Sequence, residues 1–150
     1  MIDDFRHRLP LRVRWAEVDM QAVVFNGHYL TYCDVCITEY WRAIGVPYPS
    51  AFTALDIDAF VRKATVEYHA PARYDDELLV CGRIARLGRS SAAFAVSMFR
   101  ADDTAHALID AELVYVCVGR DGAPRPWPPQ MRQRMREYEV RAPDEAVDRG

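Results

Sequence analysis

The sequence lacks a long apolar run. No stretch approaches the ~20 consecutive apolar residues that a membrane-spanning helix needs. The first ten residues carry acidic side chains and no apolar run, so we expect no secretory signal. Lysine is almost absent, Lys63 being the only one, and the formal net charge of −3 argues against general attraction to nucleic acid. We therefore expect a cytoplasmic protein that binds neither membranes nor nucleic acids.

Cysteine is scarce, and we expect the four thiols to be reduced. Cys33 and Cys36 have the spacing of a redox or metal pair, but they fall inside a predicted helix. There is no second pair, because Cys81 and Cys117 stand alone in predicted strands. We interpret all four as core thiols. The histidines also lack ligand spacing, so we predict no metal and no resident cofactor.

The length and composition predict one globular domain. A chain of 150 residues suits a single domain, and 51% hydrophobic with 27% charged residues is typical of folded proteins. We assign the domain to residues 1–140. Residues 141–150 are predicted to be a polar, frayed tail.

The periodicity predicts one helix among five strands. Residues 9–17 alternate, with Leu9, Leu11, Val13 and Trp15 on the side predicted to be buried. From Tyr29 to Ile44 the apolar residues have helical spacing, and Gly45 ends the helix. A bulge is predicted at Gly82. Further strands are predicted at residues 60–69, 77–87, 92–100 and 106–118, and a short basic helix at 130–140. This order predicts an α+β protein with the long helix on one face of an antiparallel sheet.

Asp19 lies just before the start of the long helix. Backbone amides at a helix start are unpaired and carry partial positive charge. They suit an oxygen that becomes negative during a reaction, and a nearby carboxylate can act as nucleophile or general base. Judged by residue type and position alone, a capping or solvent-facing role for Asp19 is the commoner alternative.

The segment at residues 14–30 reads RWAEVDMQAVVFNGHYL. It resembles the signature of the 4-hydroxybenzoyl-CoA thioesterase family, which includes the YbgC-like thioesterases. Three later segments resemble the family in the same order: TEYW at 38–41, YHAPARYDDEL at 68–78 and GRSS at 88–91. The resemblance covers about residues 9–130, and the order and spacing of the motifs carry it.

The resemblance implies a hot-dog fold, in which a five-stranded antiparallel sheet wraps around one long helix. It implies hydrolysis of an acyl-CoA thioester to the free acid and CoA, with coenzyme A as part of the substrate. It also implies a homodimer, or a tetramer of paired dimers, with sheets joined edge to edge and active sites between subunits. The long last strand at residues 106–118 is the edge that we expect a partner to cover.

The expected site lies around the start of the helix. Asp19 would act as nucleophile or general base, and the Asn26 backbone amide would polarise the thioester carbonyl. Substrate contacts are assigned to Val24, Phe25, His28 and Tyr29, and to Arg89, Ser90 and Ser91. By analogy with the family, the two serines would come from a partner subunit. Candidates for the CoA phosphates are Arg86, Arg89, Arg120 and Arg125.

Three positions depart from the family pattern. Ala22 replaces a frequent glycine, so the turn after Asp19 must tolerate a Cβ. Trp15 occupies a position that is often tyrosine. Asn26 stands where YbgC-like members often have histidine, so a mechanism that needs that histidine cannot operate here. Asparagine at this position resembles another large branch of the family.

Alternatives to this assignment remain. Glu39 is a rival carboxylate, because a related hot-dog branch places its catalytic acid within the central helix. An enoyl-thioester hydratase of this fold would have histidine five residues after the aspartate, where this chain has Val24. A non-catalytic acyl-thioester-binding protein is the third class, and CoA release from a panel of acyl-CoAs separates the three.

Overall fold

A computed structural model describes residues 1–145 of the chain. Within these residues a single five-stranded sheet forms in the order β1-β3-β4-β5-β2, and every neighbouring pair is antiparallel. The strands are β1 (His7–Arg12), β2 (Asp58–Tyr68), β3 (Glu77–Leu87), β4 (Ser91–Arg100) and β5 (Asp103–Val118). The last four lie close to their predicted positions.

The long helix α1 (His28–Ala43) matches the prediction and packs against β1 and β3. Its apolar stripe is buried against the inner face of the sheet, where Ile84, Phe94 and Met98 are fully buried. Each such side chain contributes about 1.5–3 kcal/mol by leaving water. The stripe consists of Tyr29, Tyr32, Cys33, Cys36, Ile37, Tyr40 and Trp41.

The cysteines are core thiols, as predicted. All four are buried, and each is a free thiol rather than part of a disulfide. Burial raises the pKa of the Cys33 thiol to about 12, so this thiol is uncharged at neutral pH. Gly82 does not mark a bulge, because the register shift within β3 lies between Ile84 and Arg86. A Cβ on Gly82 would lie 2.9 Å from the Cys36 sulfur, so glycine here permits α1 to approach β3.

The first strand is shorter than predicted. It ends at Arg12, and Trp15–Glu17 forms a 3₁₀ turn. Trp15 is 79% exposed rather than buried. The strand ends early because the Glu17 side chain accepts a hydrogen bond from the Arg14 backbone amide, which turns the chain out of the extended conformation.

Two short helices complete the described chain. The sequence did not predict α2 (Ser50–Ala54), whereas α3 (Pro129–Tyr138) confirms the basic helix. The predicted frayed tail is wrong at Asp144, which exchanges backbone hydrogen bonds of 2.8 and 2.9 Å with Ala85 and Leu87 of β3. Pairing with β3 satisfies backbone groups that a frayed tail would leave to water. Residues 146–150 lie outside the described part.

The edges of the sheet are β1 and β2, so the prediction that the last strand is an edge is wrong. β5 lies inside the sheet between β4 and β2. Phe60, Val61 and Tyr68 on β2 are each more than half exposed. The length of β5 suggested an edge, but pairing order depends on contacts between distant segments.

Candidate active site

The Asp19 loop is a tight turn. The Asp19 backbone amide donates to the Val23 carbonyl (2.9 Å), and the Ala22 amide donates to the Asp19 carbonyl (3.0 Å). Ala22 has φ of 61°, so the turn tolerates a Cβ in a left-handed conformation, as expected. The Asp19 Oδ1 atom accepts the Gln21 amide at 2.8 Å. Oδ2 has no hydrogen-bond partner among residues 1–145, so one carboxylate oxygen is available to a substrate or water.

Glu17 anchors this loop and is a residue that the sequence analysis missed. It is buried, and its carboxylate accepts the Arg14 backbone amide and guanidinium, both at 2.8 Å, and the Tyr32 hydroxyl at 3.0 Å. Burial alone raises the pKa of Glu17, but these hydrogen bonds and the charge of Arg14 outweigh it and hold the pKa below its ordinary value. The Glu17 carbonyl accepts the Phe25 amide at 3.0 Å, which ties the loop to the helix start. The signal available in the sequence was the spacing of Arg14 and Glu17, which form a capping box.

The start of α1 is held against the segment that follows β2. The Val24 amide donates to the Ala72 carbonyl (2.9 Å), and the Ala72 amide donates to the Tyr29 hydroxyl (3.0 Å). The Tyr68 hydroxyl donates to the Asn26 carbonyl at 3.3 Å. Within residues 1–145 the Asn26 backbone amide has no acceptor. An unpaired amide just before the helix is a donor for an anionic oxygen.

A cavity of about 260 Å³ joins these elements. It brings together four of the predicted site residues: Asp19, Val24, Asn26 and Tyr29. Opposite them it is lined by Tyr68, His69, Ala70 and Pro71, with Gln21 and Val23 completing the wall. Tyr68 and His69 were not predicted as site residues, although they begin one of the segments that carried the resemblance.

Phe25 and His28 do not line this cavity. Their rings pack edge to face with centroids 5.7 Å apart. Their predicted substrate contacts are untested, and in a single chain the two residues contact each other. Glu39, the rival carboxylate, is also outside the cavity lining and lies 3.5 Å from Arg42 toward the other end of α1.

The turn at Arg89, Ser90 and Ser91 lies at the opposite end of the sheet. Tyr68 on β2 pairs with Ile109 of β5, whereas Ser91 on β4 pairs with Val116 of β5. The two partners on β5 are seven residues apart. Seven residues of strand span about 24 Å at ~3.4 Å per residue. One chain therefore cannot bring this turn to Asp19.

The other proposed phosphate contacts have acidic partners. Arg86 lies 3.0 Å from Glu112, and Arg125 lies 3.5 Å from Asp56. Arg120 also pairs with Asp56. These ion pairs are exposed or half-exposed, so each contributes little to stability. A phosphate could therefore replace the carboxylate as the partner of the arginine. The assignment to the CoA phosphates stays a prediction.

Residues 1–145 contain no group of three or more histidine, cysteine or acidic side chains placed to hold a metal ion. No helix in the same residues is long and apolar enough to cross a bilayer. The arrangement at Asp19 offers a carboxylate oxygen and an amide donor in one cavity, which suits attack on a carbonyl carbon.

The chain is similar to known thioesterases. The thioesterase superfamily pattern matches residues 21–107. The acyl-CoA thioester hydrolase YbgC of Escherichia coli O6:H1 is 34% identical over 111 residues, covering 74% of this chain and 81% of that protein.

Solved structures show the same architecture. A crystal structure of a protein from Pseudomonas aeruginosa strain PAO1 superposes with a TM-score of 0.82 at 23% identity, covering 93% of this chain and 96% of that one. The structure of a 1,4-dihydroxy-2-naphthoyl-CoA thioesterase from Synechocystis superposes with a TM-score of 0.78 at 19% identity, covering 86% of this chain and 94% of that one. The hot-dog fold and the predicted class, a thioester hydrolase, are confirmed. Since the matched pattern spans more than half of its length, the chain belongs to the thioesterase superfamily.

Proposed function

We propose that this protein hydrolyses acyl-CoA thioesters at the Asp19 cavity. The observation that carries the proposal is that one cavity at the start of α1 is lined both by Asp19, which has a free carboxylate oxygen within residues 1–145, and by Asn26, whose backbone amide is unpaired there. The relative named as an acyl-CoA thioester hydrolase supports coenzyme A as the thiol part of the substrate.

The two groups have complementary roles. The Asn26 amide donates to the thioester carbonyl oxygen as it becomes negative, and one such donor typically contributes ~2.7–4 kcal/mol to the transition state. Asp19 acts on the acyl carbon, either by direct attack through Oδ2 or by taking a proton from water. Both routes release the free acid and CoA.

A second copy of the chain completes the site in this proposal. The β2 edge presents Phe60, Val61 and Tyr68, which are 57%, 51% and 53% exposed. An edge strand also offers unpaired backbone groups to another strand. Pairing of two β2 strands joins the sheets, and a partner is the only source of an Arg89–Ser91 turn for a cavity that its own turn cannot reach.

Light scattering at micromolar concentration tests the assembly. A dimer or tetramer is expected, and a mass near 17.2 kDa would contradict the shared site. Phe60→Glu combined with Val61→Arg should shift the protein toward monomer by charging the β2 edge. Val140→Glu, at an exposed apolar residue beyond α3, is the matched control and should leave the mass unchanged.

The activity itself is tested by measuring free CoA released from a panel of aliphatic and aromatic acyl-CoAs. Hydrolysis of at least one member is expected, and it should survive chelators and thiol reductants because the proposed chemistry uses only a carboxylate and an amide. A change in enoyl absorbance without CoA release would identify a hydratase. Binding without either change would identify a non-catalytic binder. Activity that is lost on chelation and restored by a divalent metal would contradict the metal-free mechanism.

A further inference from the structure

His69 lines the Asp19 cavity and forms a hydrogen-bonded pair with Asp110, which lies outside the cavity lining. His69 follows β2 directly and lines the cavity. Its Nε2 atom lies 2.9 Å from Asp110 Oδ2 on β5, so the ring donates to the carboxylate. Both side chains are about half exposed, at 44% and 49%, so the pair is open to water.

Asp110 is itself held in place. The Ser97 hydroxyl donates to Asp110 Oδ1 at 2.5 Å, and the two residues are register partners on β4 and β5. Both carboxylate oxygens are therefore used, one by Ser97 and one by His69. A second carboxylate, Glu67, lies 4.0 Å from the same ring nitrogen, but it is 71% exposed and beyond hydrogen-bond distance.

This arrangement suits proton transfer. An imidazole that donates through Nε2 keeps Nδ1 free to accept a proton, and the carboxylate stabilises the imidazolium that forms. No other histidine within residues 1–145 lines the cavity, since His28 packs against Phe25. Asn26 occupies the loop position where related sequences often have histidine, and here the cavity receives a histidine from the end of β2 instead.

We propose that His69 is an acid–base catalyst of the hydrolysis and that Asp110 is its positioning residue. The inference rests on the proposed function. With a separate base in the cavity, Asp19 is free to serve as nucleophile rather than as the activator of water.

The reaction closes in two steps. Asp19 attacks the acyl carbon and forms a C–O bond, the C–S bond breaks, and the sulfur leaves with the electron pair and takes a proton from the His69 imidazolium. Neutral His69 then removes a proton from water as the water oxygen bonds to the acyl carbon of the mixed anhydride. The bond from the acyl carbon to Asp19 breaks, which restores the aspartate and the imidazolium and releases the free acid.

The chain supplies a matched control for this role. His106 also pairs with a carboxylate, that of Asp103 at 3.0 Å, but it is 82% exposed and does not line the Asp19 cavity. If His69 only forms a surface ion pair, replacing either histidine should have the same small effect.

The experiment compares His69→Gln and His106→Gln with the unmodified chain on the best acyl-CoA of the panel, with thermal melts as the folding control. His69→Gln should lower kcat by ~10²–10⁴-fold, as for loss of a general base. The thiolate can leave without an acid, but water attack needs the base. CoA release by this variant should therefore show a burst of one equivalent per active site before slow turnover, and hydroxylamine should trap the acyl group. His106→Gln should behave as the unmodified chain.

Other results would overturn the role of His69. These are a kcat of His69→Gln within about threefold of the unmodified value, well short of a general-base effect, or a loss of kcat without a burst. If the unmodified chain hydrolyses none of the thioesters, the proposed function fails and the His69 role fails with it. If the unmodified chain is active and His69→Gln equals it, only the His69 inference fails.

Asp110→Asn tests the positioning role separately. We expect kcat to fall by more than about tenfold with KM unchanged, because the amide no longer orients and stabilises the imidazolium. A rise in KM with unchanged kcat would show that Asp110 only shapes the cavity.

Discussion

The two ends of α1 each bury a glutamate beneath a tyrosine hydroxyl, but the pKa values of the two glutamates are shifted in opposite directions. At the N-terminal end, the Tyr32 hydroxyl donates to Glu17. At the C-terminal end, the Tyr40 hydroxyl donates to Glu139, which also accepts the Ile84 amide at 2.9 Å. Glu17 has the Arg14 guanidinium at 2.8 Å, whereas Glu139 makes no ion pair within residues 1–145.

The balance between burial and stabilising partners differs at the two glutamates. Burial raises the pKa of Glu139, and its hydrogen bonds do not compensate for the loss of water. Glu17 has a lowered pKa because Arg14 and Tyr32 stabilise its charged form. The N-terminal end therefore keeps an ionised anchor beneath the open Asp19 cavity, while the C-terminal end is closed by α3 and its buried methionines.

The largest expected effect is on catalysis, and it should arise at the N-terminal end of α1 rather than at the C-terminal end. Asp19→Asn should lower the rate of the chemical step by at least ~10²–10⁴-fold, because asparagine cannot act as nucleophile or base. Asparagine keeps the shape and the turn hydrogen bond, so the melting temperature should change little. Glu39→Gln, toward the C-terminal end of α1, should have a smaller effect. Both variants are measured by their turnover of the best acyl-CoA. If Glu39→Gln were inactive and Asp19→Asn active, the catalytic carboxylate would be Glu39 in the helix.

The next effect concerns stability. Glu17→Gln should lower the free energy of unfolding by about 1.5–3 kcal/mol at neutral pH, because it removes hydrogen bonds to a charged group. Glu139→Gln keeps an oxygen for Tyr40 and Ile84 and should cost less than about 1 kcal/mol. Urea denaturation of both variants measures the difference. Equal costs at neutral pH would mean that Arg14 does not distinguish the two ends.

The pH dependence of the two variants should have opposite signs. The folded-state pKa of Glu17 is lowered, so its contribution to stability is present above the unfolded value of about 4.3 and is lost as the pH falls through the folded pKa. The folded-state pKa of Glu139 is raised, so its contribution is full below that unfolded value and is lost as the pH rises through the folded pKa. The cost of Glu17→Gln should shrink in acid, and that of Glu139→Gln should shrink toward neutral pH. The measurement is the free energy of unfolding of both variants and the unmodified chain between pH 3 and 8, a range that extends about one unit or more to either side of the unfolded pKa. If the destabilisation by both substitutions changed in the same direction with pH, this prediction would be wrong.

The smallest expected effect concerns the Asp19 turn. Ala22→Gly should raise the free energy of unfolding by up to about 1 kcal/mol, since it relieves a left-handed alanine, although glycine gains entropy in the unfolded chain. Ala43→Gly, in the last turn of α1, is the control at the other end and should be destabilising by ~0.5–1 kcal/mol. A destabilising Ala22→Gly would show that the turn is not strained.

Local patterns predicted the elements well where one periodicity extended over many residues. The helix from Tyr29 and the strands at 77–87 and 92–100 were predicted within a residue or two, because alternation or helical spacing continues through each of them. The strand at residues 9–17 was predicted too long. Its alternation continues through Trp15, but the Glu17 side chain competes for the backbone and ends the strand.

The candidate site was predicted in part. Asp19 and Asn26 stand in one motif, and the structure brings them to one cavity with Tyr29. Tyr68 and His69 join them only because the segment after β2 packs against the loop through Val24 and Ala72. Nothing near His69 in the sequence indicates its contact with Asp110, which lies 41 positions away.

The sequence by itself determined the α+β class, the position of the long helix and the placement of Asp19 before it, since these depend on neighbours within a few turns. Only the tertiary structure decided which strands lie at the edges of the sheet, in which direction the pKa of each buried glutamate shifts and which histidine lines the cavity. Those outcomes depend on hydrogen bonds between β2 and β5 and on burial around α1, where residues distant along the chain meet. Pairing and desolvation energies are set by these contacts, and no local pattern encodes them.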